Sequence, residues 1–254
     1  MTGSRREQLL SIGLPVATAV VLAALWQAAV SLTDIREIML PAPTAMVAKL
    51  NANLPTLLEA ALVTGREALA AFALAVVAGF IVAAASSSSQ LLRETIYPAI
   101  IALQLIPKVA LAPLFVVILG IEAEARITFA ALLSFFPVLI STASGLSNTD
   151  PNAMRLCRSL RASAWQSFWS VRVPFALPHF FYGMRISSTM AVTGVVIAEF
   201  ISAKQGLGFA ILSASAVSKT ATVFAAIAVL CALGLGLYGA VAALERLAAR
   251  WYRG

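Results

Sequence analysis

This sequence is poor in charge. Only 11% of its 254 residues are charged, against 61% apolar, and mean hydropathy is +0.92. A soluble domain runs nearer a quarter charged, and its interior could not hide so many apolar side chains. Cysteine is nearly absent: Cys157 and Cys231 lie far apart and belong to no CxxC pattern. That argues against a disulfide scaffold or a thiolate metal site. The single histidine, His179, cannot hold a metal alone. No Gly-Lys dipeptide occurs, so the chain carries no Walker-type phosphate loop. No clustered His, Cys, Asp or Glu stands at catalytic spacing, which argues against a membrane-embedded enzyme. The net charge of +7 would suggest nucleic acid in a soluble chain. In a membrane protein the same excess collects in cytoplasmic loops, and no nucleic-acid partner is expected.

What is present is a series of apolar runs. A spanning helix needs about 20 apolar residues. The runs cover about 12–32, 58–85, 97–119, 127–146, 181–203 and 221–244. The first follows Arg5 and Arg6 but is too long for a signal peptide, so it reads as a retained span. The segment 33–55 carries Asp34, Arg36, Glu37 and Lys49 and is broken by Pro41 and Pro43, so it does not span. The second run includes Arg66 and Glu67, which predicts shielding by protein at that level, and Ser86–Ser89 reads as a loop. The third run is interrupted by Pro107 and Pro113.

Six spans put both termini on one side, and charge chooses the side. With the termini inside, the cytoplasmic segments hold eleven arginines, Arg172 and Arg185 among them. The opposite side holds five basic residues: Arg36, Lys49, Arg126, Lys204 and Lys219. The positive-inside rule therefore predicts an all-α polytopic membrane protein with about six transmembrane helices, N-in and C-in. One transmembrane domain occupies residues 1–254.

The longest cytoplasmic loop, about 147–180, has a patterned start. Asp150 can cap a helix and Pro151 suits its first position. Met154, Cys157 and Leu160 recur every three residues, as do Arg155, Arg158 and Arg161, and Trp165, Phe168 and Trp169 follow. Two readings stand. One is an interfacial amphipathic helix anchored by Arg and Trp. The other is a helix laid into the groove of a cytoplasmic partner.

The spacing from Arg155 through Arg161 to Val171-Arg172-Val173-Pro174 resembles the EAA loop of ABC importer permeases. That pattern is Glu-Ala-Ala, three residues, Gly, nine residues and Ile-x-Leu-Pro. Here Arg155 stands for Glu, Leu156 and Cys157 for the alanines, and Arg161 for Gly; Pro174 is kept. Further pieces follow in that family's order: Leu40–Pro43, Ile106–Leu114, Gly120, Phe136–Val138, Ala162-Ser163, Phe175–Pro178, Gly183–Arg185, Ala198-Glu199 and Gly206–Gly208. The chain resembles the permease branch serving nitrate, sulfonate, taurine and thiamine-precursor importers.

The resemblance implies a permease subunit without covalent chemistry, in a bacterial inner membrane. It would form the path for a small anionic or heteroaromatic solute delivered by an extracytoplasmic binding protein. It implies a pair of permease subunits, identical or different, docked on a cytoplasmic ATPase dimer that holds ATP and Mg. The loop helix would be the coupling helix, with Met154, Arg155, Leu156, Cys157, Arg158, Leu160, Arg161, Ala162, Ser163, Val171, Val173 and Pro174 at or near the contact. The rival reading is an ion-coupled secondary transporter using Glu199, against which stand the long basic loop and the lack of visible internal repeats.

Several residues have two readings each. Glu199, an acid at membrane level, gates the pathway or is a buried structural acid. Lys108, between two prolines, meets an anionic solute or a structural partner. Gly206-Leu207-Gly208 reads as an extracytoplasmic turn. Gly234–Gly239 spells GxGxxG but sits inside an apolar run, so it predicts close helix packing rather than a dinucleotide site. Finally, a left-handed conformation at Arg161 would cost about 1–2 kcal/mol. That predicts a turn avoiding positive φ there, with Arg155, Arg158 and Arg161 forming one basic ridge that faces acids on the ATPase.

Overall fold

The computed structural model describes residues 5–33, 35–88 and 90–252. Asp34 and Ser89, used above for the first loop and the serine break, and Arg253, one of the eleven arginines counted on the cytoplasmic side, lie outside the described residues. The chain is 87% helical, with no strand among the described residues. In order come α1 Arg5–Leu32, α2 Pro43–Ala52, α3 Leu54–Ser88 and α4 Gln90–Leu105. A 3-10 turn at Lys108–Leu111 leads to α5 Ala112–Leu119, then α6 Ala123–Ser147 and α7 Pro151–Ser159. After α8 Ala164–Ser167 and a π turn at Phe168–Arg172 come α9 Val173–Ser202, α10 Leu207–Ala216 and α11 Thr220–Tyr252. Among the described residues four helical stretches are long and apolar enough to cross a membrane: Leu54–Ser87, Ala123–Ser147, Ala164–Ser202 and Thr220–Ala249. The chain is thus an all-α polytopic membrane protein.

Two boundaries differ from the sequence reading, while the interruption of the third run falls where the prolines placed it. The third run is not one helix. Proline lacks an amide hydrogen and biases its predecessor away from the helical region. The chain accordingly breaks at Ile106-Pro107 and restarts with Pro113 in the first turn of α5. Gly120, at φ +87°, ends α5 and donates its N–H to the Val116 carbonyl at 2.9 Å. The serine stretch does not end α3: Ser86 and Ser87 donate to the Ala83 and Ala84 carbonyls and stay helical. The loop predicted to reach residue 180 is shorter, because helix resumes at Ala164 and runs to Ser202.

Two compact units result. One comprises residues 1–58 with 210–229, the other 59–209 with 230–254. In the first, Thr44 N–H is bonded to Gln27 Oε1 at 3.2 Å, Trp26 and Phe224 meet with ring centroids 5.6 Å apart, and Thr220 Oγ1 donates to the Ile38 carbonyl at 2.6 Å. Pro41 is fully buried there, and Pro43 opens α2.

In the second unit α6 and α9 form the centre. Their backbones approach closely because glycine faces small residues. A Cβ on Gly194 would lie 2.7 Å from Ala130 Cα, and one on Gly183 would lie 2.8 Å from the Pro137 carbonyl oxygen. Close approach of small residues is how apolar helices gain dispersion contact in a bilayer. Ala68, Phe72, Met184, Val192 and Val241 bring α3 and α11 onto this pair. The glycines of the GxGxxG stretch behave otherwise. A Cβ at Gly234, Gly236 or Gly239 would meet nothing within 4 Å, so the expected close packing is absent within the described chain.

Candidate functional site

The cytoplasmic-type loop is built from capped ends. Asp150 accepts the Asn152 N–H at 2.9 Å, and Pro151 fills the first turn of α7. At the other end Ala162 N–H donates to the Cys157 carbonyl at 2.9 Å and Arg161 N–H to the Arg158 carbonyl at 3.0 Å. These two bonds are a Schellman closure, with Arg161 at its left-handed position. Arg161 has φ +52°. The expectation that the turn would avoid positive φ is therefore wrong. Two otherwise orphaned carbonyls gain partners, which offsets the Cβ clash of a non-glycine residue. The three-arginine ridge is corrected with it: Arg155 and Arg158 lie on α7, while Arg161 has left the helix.

A second cap follows at once. Gln166 N–H donates to Ser163 Oγ at 3.2 Å and Ser163 N–H donates to Gln166 Oε1 at 2.8 Å, a reciprocal capping box. From there α8, the π turn and α9 run on without a loop. Pro174 cannot donate to the Ser170 carbonyl, and the turn just upstream has widened to π geometry at Phe168–Arg172. Val171 lies within that turn, and Val173 and Pro174 begin α9, so these three belong to a spanning helix rather than to the loop. Arg155, Leu156, Arg158, Leu160, Arg161 and Ser163 are exposed, with Met154, Cys157 and Ala162 half-buried. Arg172, counted above only as a loop charge, donates to the Ser87 and Leu146 carbonyls at 3.2 and 3.1 Å. It thus ties the ends of α3 and α6 to the start of α9.

Glu199 is fully buried near the end of α9. Thr64 Oγ1 donates to its Oε1 at 2.7 Å and Gly208 N–H to its Oε2 at 2.6 Å, while Leu207 N–H donates to Thr64 Oγ1 at 2.8 Å. The carboxylate therefore receives an orphan amide at the start of α10. Gly206 takes φ +104°, and a Cβ there would collide with the Glu199 carboxylate. One on Gly208 would come within 2.7 Å of Glu199 Oε2. The sequence reading marked Glu199 and the Gly-Leu-Gly turn separately. It missed Thr64, whose signal was the single hydroxyl residue of the apolar run 58–85.

A second buried group joins α3 to α6. Arg126 donates from Nε and Nη2 to the two Glu67 oxygens at 2.8 and 2.6 Å, and from Nη1 to the Ile121 carbonyl at 2.9 Å. Shielding was right for Glu67 but not for its neighbour, since Arg66 is exposed. Arg126, counted as a loop charge, belongs to this pair. Arg185, assigned to the cytoplasmic side, lies within α9, where it is ion-paired with Glu245 of α11. Each correction removes one charge from its side, so the asymmetry that chose the orientation persists. Lys108 is half-buried, with Nζ 4.7 Å from the centre of the Phe136 ring, a cation–π partner in its own chain. Among the described residues no group of His, Cys, Asp and Glu could hold a metal.

Residues 75–250 match the family described as "Binding-protein-dependent transport system inner membrane component". The chain is 33% identical over 243 residues to the riboflavin transport system permease protein RibX of Chloroflexus aurantiacus, covering 95% of this chain and 90% of that one. It is 34% identical over 257 residues to the taurine transport system permease protein TauC of Escherichia coli, covering 97% and 91%. It is 32% identical over 179 residues to the formylaminopyrimidine transport permease protein ThiX of Halalkalibacterium halodurans, covering 70% and 72%. With its all-helical membrane fold and these relatives, the chain belongs to the binding-protein-dependent transport system inner membrane components, as a permease subunit of an ABC transporter and not an enzyme.

Proposed function

We propose that the chain forms the translocation path of an ATP-driven importer in a bacterial inner membrane, with six spans and both termini in the cytoplasm. The solute is small and anionic or heteroaromatic, as the relatives' taurine, riboflavin and formylaminopyrimidine suggest. A binding protein delivers it from outside. A second permease subunit completes the path, and ATP and Mg reside on a cytoplasmic ATPase dimer.

The observation that carries this reading is the construction of α7. It is a short helix with no buried residue, capped at both ends, and it leads through α8 and the π turn into α9. An isolated helix of this length is marginal in water; the caps hold it ready for a groove. Seated in an ATPase cleft, it would pass a rigid movement to α9 and, through Gly183 and Gly194, to α6. Arg155 and Arg158 would face acids there. Glu199, with its bonds made inside the chain, would hold α9 to the start of α10 during that movement, and Lys108 would keep the broken third run against α6.

Proteoliposomes test the proposal. Uptake should require the partner ATPase and ATP. Uptake by this chain alone under a proton gradient would overturn it. Arg155→Glu should weaken ATPase docking, and unchanged or tighter docking would refute the acidic contact.

A further inference from the structure

In the second unit α3, α9 and α11 leave an open groove of about 460 Å³, lined by Leu62, Leu69, Val192, Leu233 and Leu237. Arg66 is the one polar side chain in that lining, and it is exposed. No acid lines the groove, and Arg66 has no ion pair or hydrogen bond among the described residues. Gly236 leaves space in the groove, since a Cβ there would meet nothing within 4 Å.

The level of Arg66 in the membrane follows from its own helix. Directly after Arg66 and Glu67, residues 68–85 carry no charge and no polar side chain. At 1.5 Å per residue that stretch runs roughly 27 Å, close to the hydrocarbon thickness of a bilayer, about 30 Å. The other end of the stretch is marked by Ser86 and Ser87. Arg66 therefore stands at a headgroup border, where phosphates are within reach of its guanidinium. Glu67, one position along, is taken up by Arg126 and leaves Arg66 uncompensated. A solute path would offer polar groups along its wall; this groove offers leucine, valine and alanine beneath a single cation.

We propose that the groove holds one glycerophospholipid, its phosphate on Arg66 and an acyl chain along Leu69, Val192, Leu233 and Leu237. The guanidinium fork matches phosphate geometry. The apolar wall supplies dispersion contact for the chain, and the absence of a side chain at Gly236 makes room for it. The groove lining includes neither Glu199 nor any residue of α7, and the site does not depend on the solute.

The test uses the assembled transporter, purified in mild detergent, stripped of lipid and titrated with phosphatidylglycerol under native mass spectrometry. One lipid should bind per permease. Arg66→Gln should weaken that binding at least about tenfold, the loss of one charge-assisted pair. Gly236→Leu should weaken it similarly without changing charge, and its new side chain starts in open space, so the helix is kept. Arg66→Lys should fall between. Unchanged binding in either Arg66→Gln or Gly236→Leu would overturn the proposal. So would displacement of the lipid by an equal concentration of inorganic phosphate, which would make Arg66 a free-anion site.

Discussion

At the scale of single residues, Arg161 shows a backbone requirement outlasting the residue type suited to it. Its φ of +52° and the two bonds that close α7 are what a glycine would adopt at no steric cost. Arg161→Gly should therefore stabilise the closure by roughly 0.5–1 kcal/mol, because the left-handed penalty is relieved while some chain entropy is lost. Arg161→Val should destabilise it by about 1–2 kcal/mol, since a branched side chain suits that region least. Hydrogen-exchange protection of the amides at 161 and 162 reads both effects. Glu199 is the other residue whose surroundings leave little choice. In Glu199→Gln one terminal atom becomes a donor and cannot accept both Thr64 Oγ1–H and Gly208 N–H. A loss of about 1–3 kcal/mol in thermal unfolding is expected. Gly208→Ala should be comparably damaging, because its Cβ would press on Oε2 and on the Val196 carbonyl. Unaltered unfolding in both variants would refute the structural role.

Between elements, two devices of different chemistry hold the second unit together. One is steric: α6 and α9 touch through Gly183 and Gly194. Gly194→Ala would place a methyl 2.7 Å from Ala130 Cα, and overpacking of this kind costs about 1–3 kcal/mol. Ala130→Gly should recover part of that loss in a double-mutant cycle. Full additivity would show that the two helices relax apart. The other device is ionic. Glu67 and Arg126 make two bonds between buried side chains of α3 and α6. Removing one partner strands the other, which costs about 3–5 kcal/mol. Glu67→Gln should therefore lower the unfolding temperature in detergent far more than Glu59→Gln, since Glu59 lies on the same helix and is exposed. Equal effects would mean that Arg126 finds other acceptors.

For the molecule as a whole, thiol chemistry reads the orientation directly. In intact cells an impermeant maleimide should label a cysteine placed at Asn51 or Lys219 and spare native Cys157, which is half-buried on α7. Labelling of Cys157 from outside would reverse the topology. The charge asymmetry behind this expectation survives the relocation of Arg126 and Arg185 into helices, because they stood on opposite sides of the count. The residue-level expectations above concern stability and local opening, so they hold for either orientation.

Composition and order along the chain were enough for the class, an all-helical polytopic membrane protein; the permease-subunit role came from the family resemblance. Apolar runs of spanning length leave the backbone no other way to satisfy itself in lipid. Local rules were also legible where they act over a few residues, as in the Asp150-Pro151 start of α7 and the break at Pro107. The tertiary structure decided which charges are partnered and by whom. Glu67 and Arg126 are 59 positions apart, and Thr64 and Glu199 are 135 apart. No periodicity within one helix encodes such a pairing, because it depends on how helices pack. The same holds for Arg66. Its charge is plain in the sequence, but its lack of a partner among the described residues appears only once α3, α9 and α11 are set side by side. Arg161 marks the boundary between the two kinds of knowledge. Residue preference argued against positive φ, and two backbone bonds that residue preference does not count outweighed it.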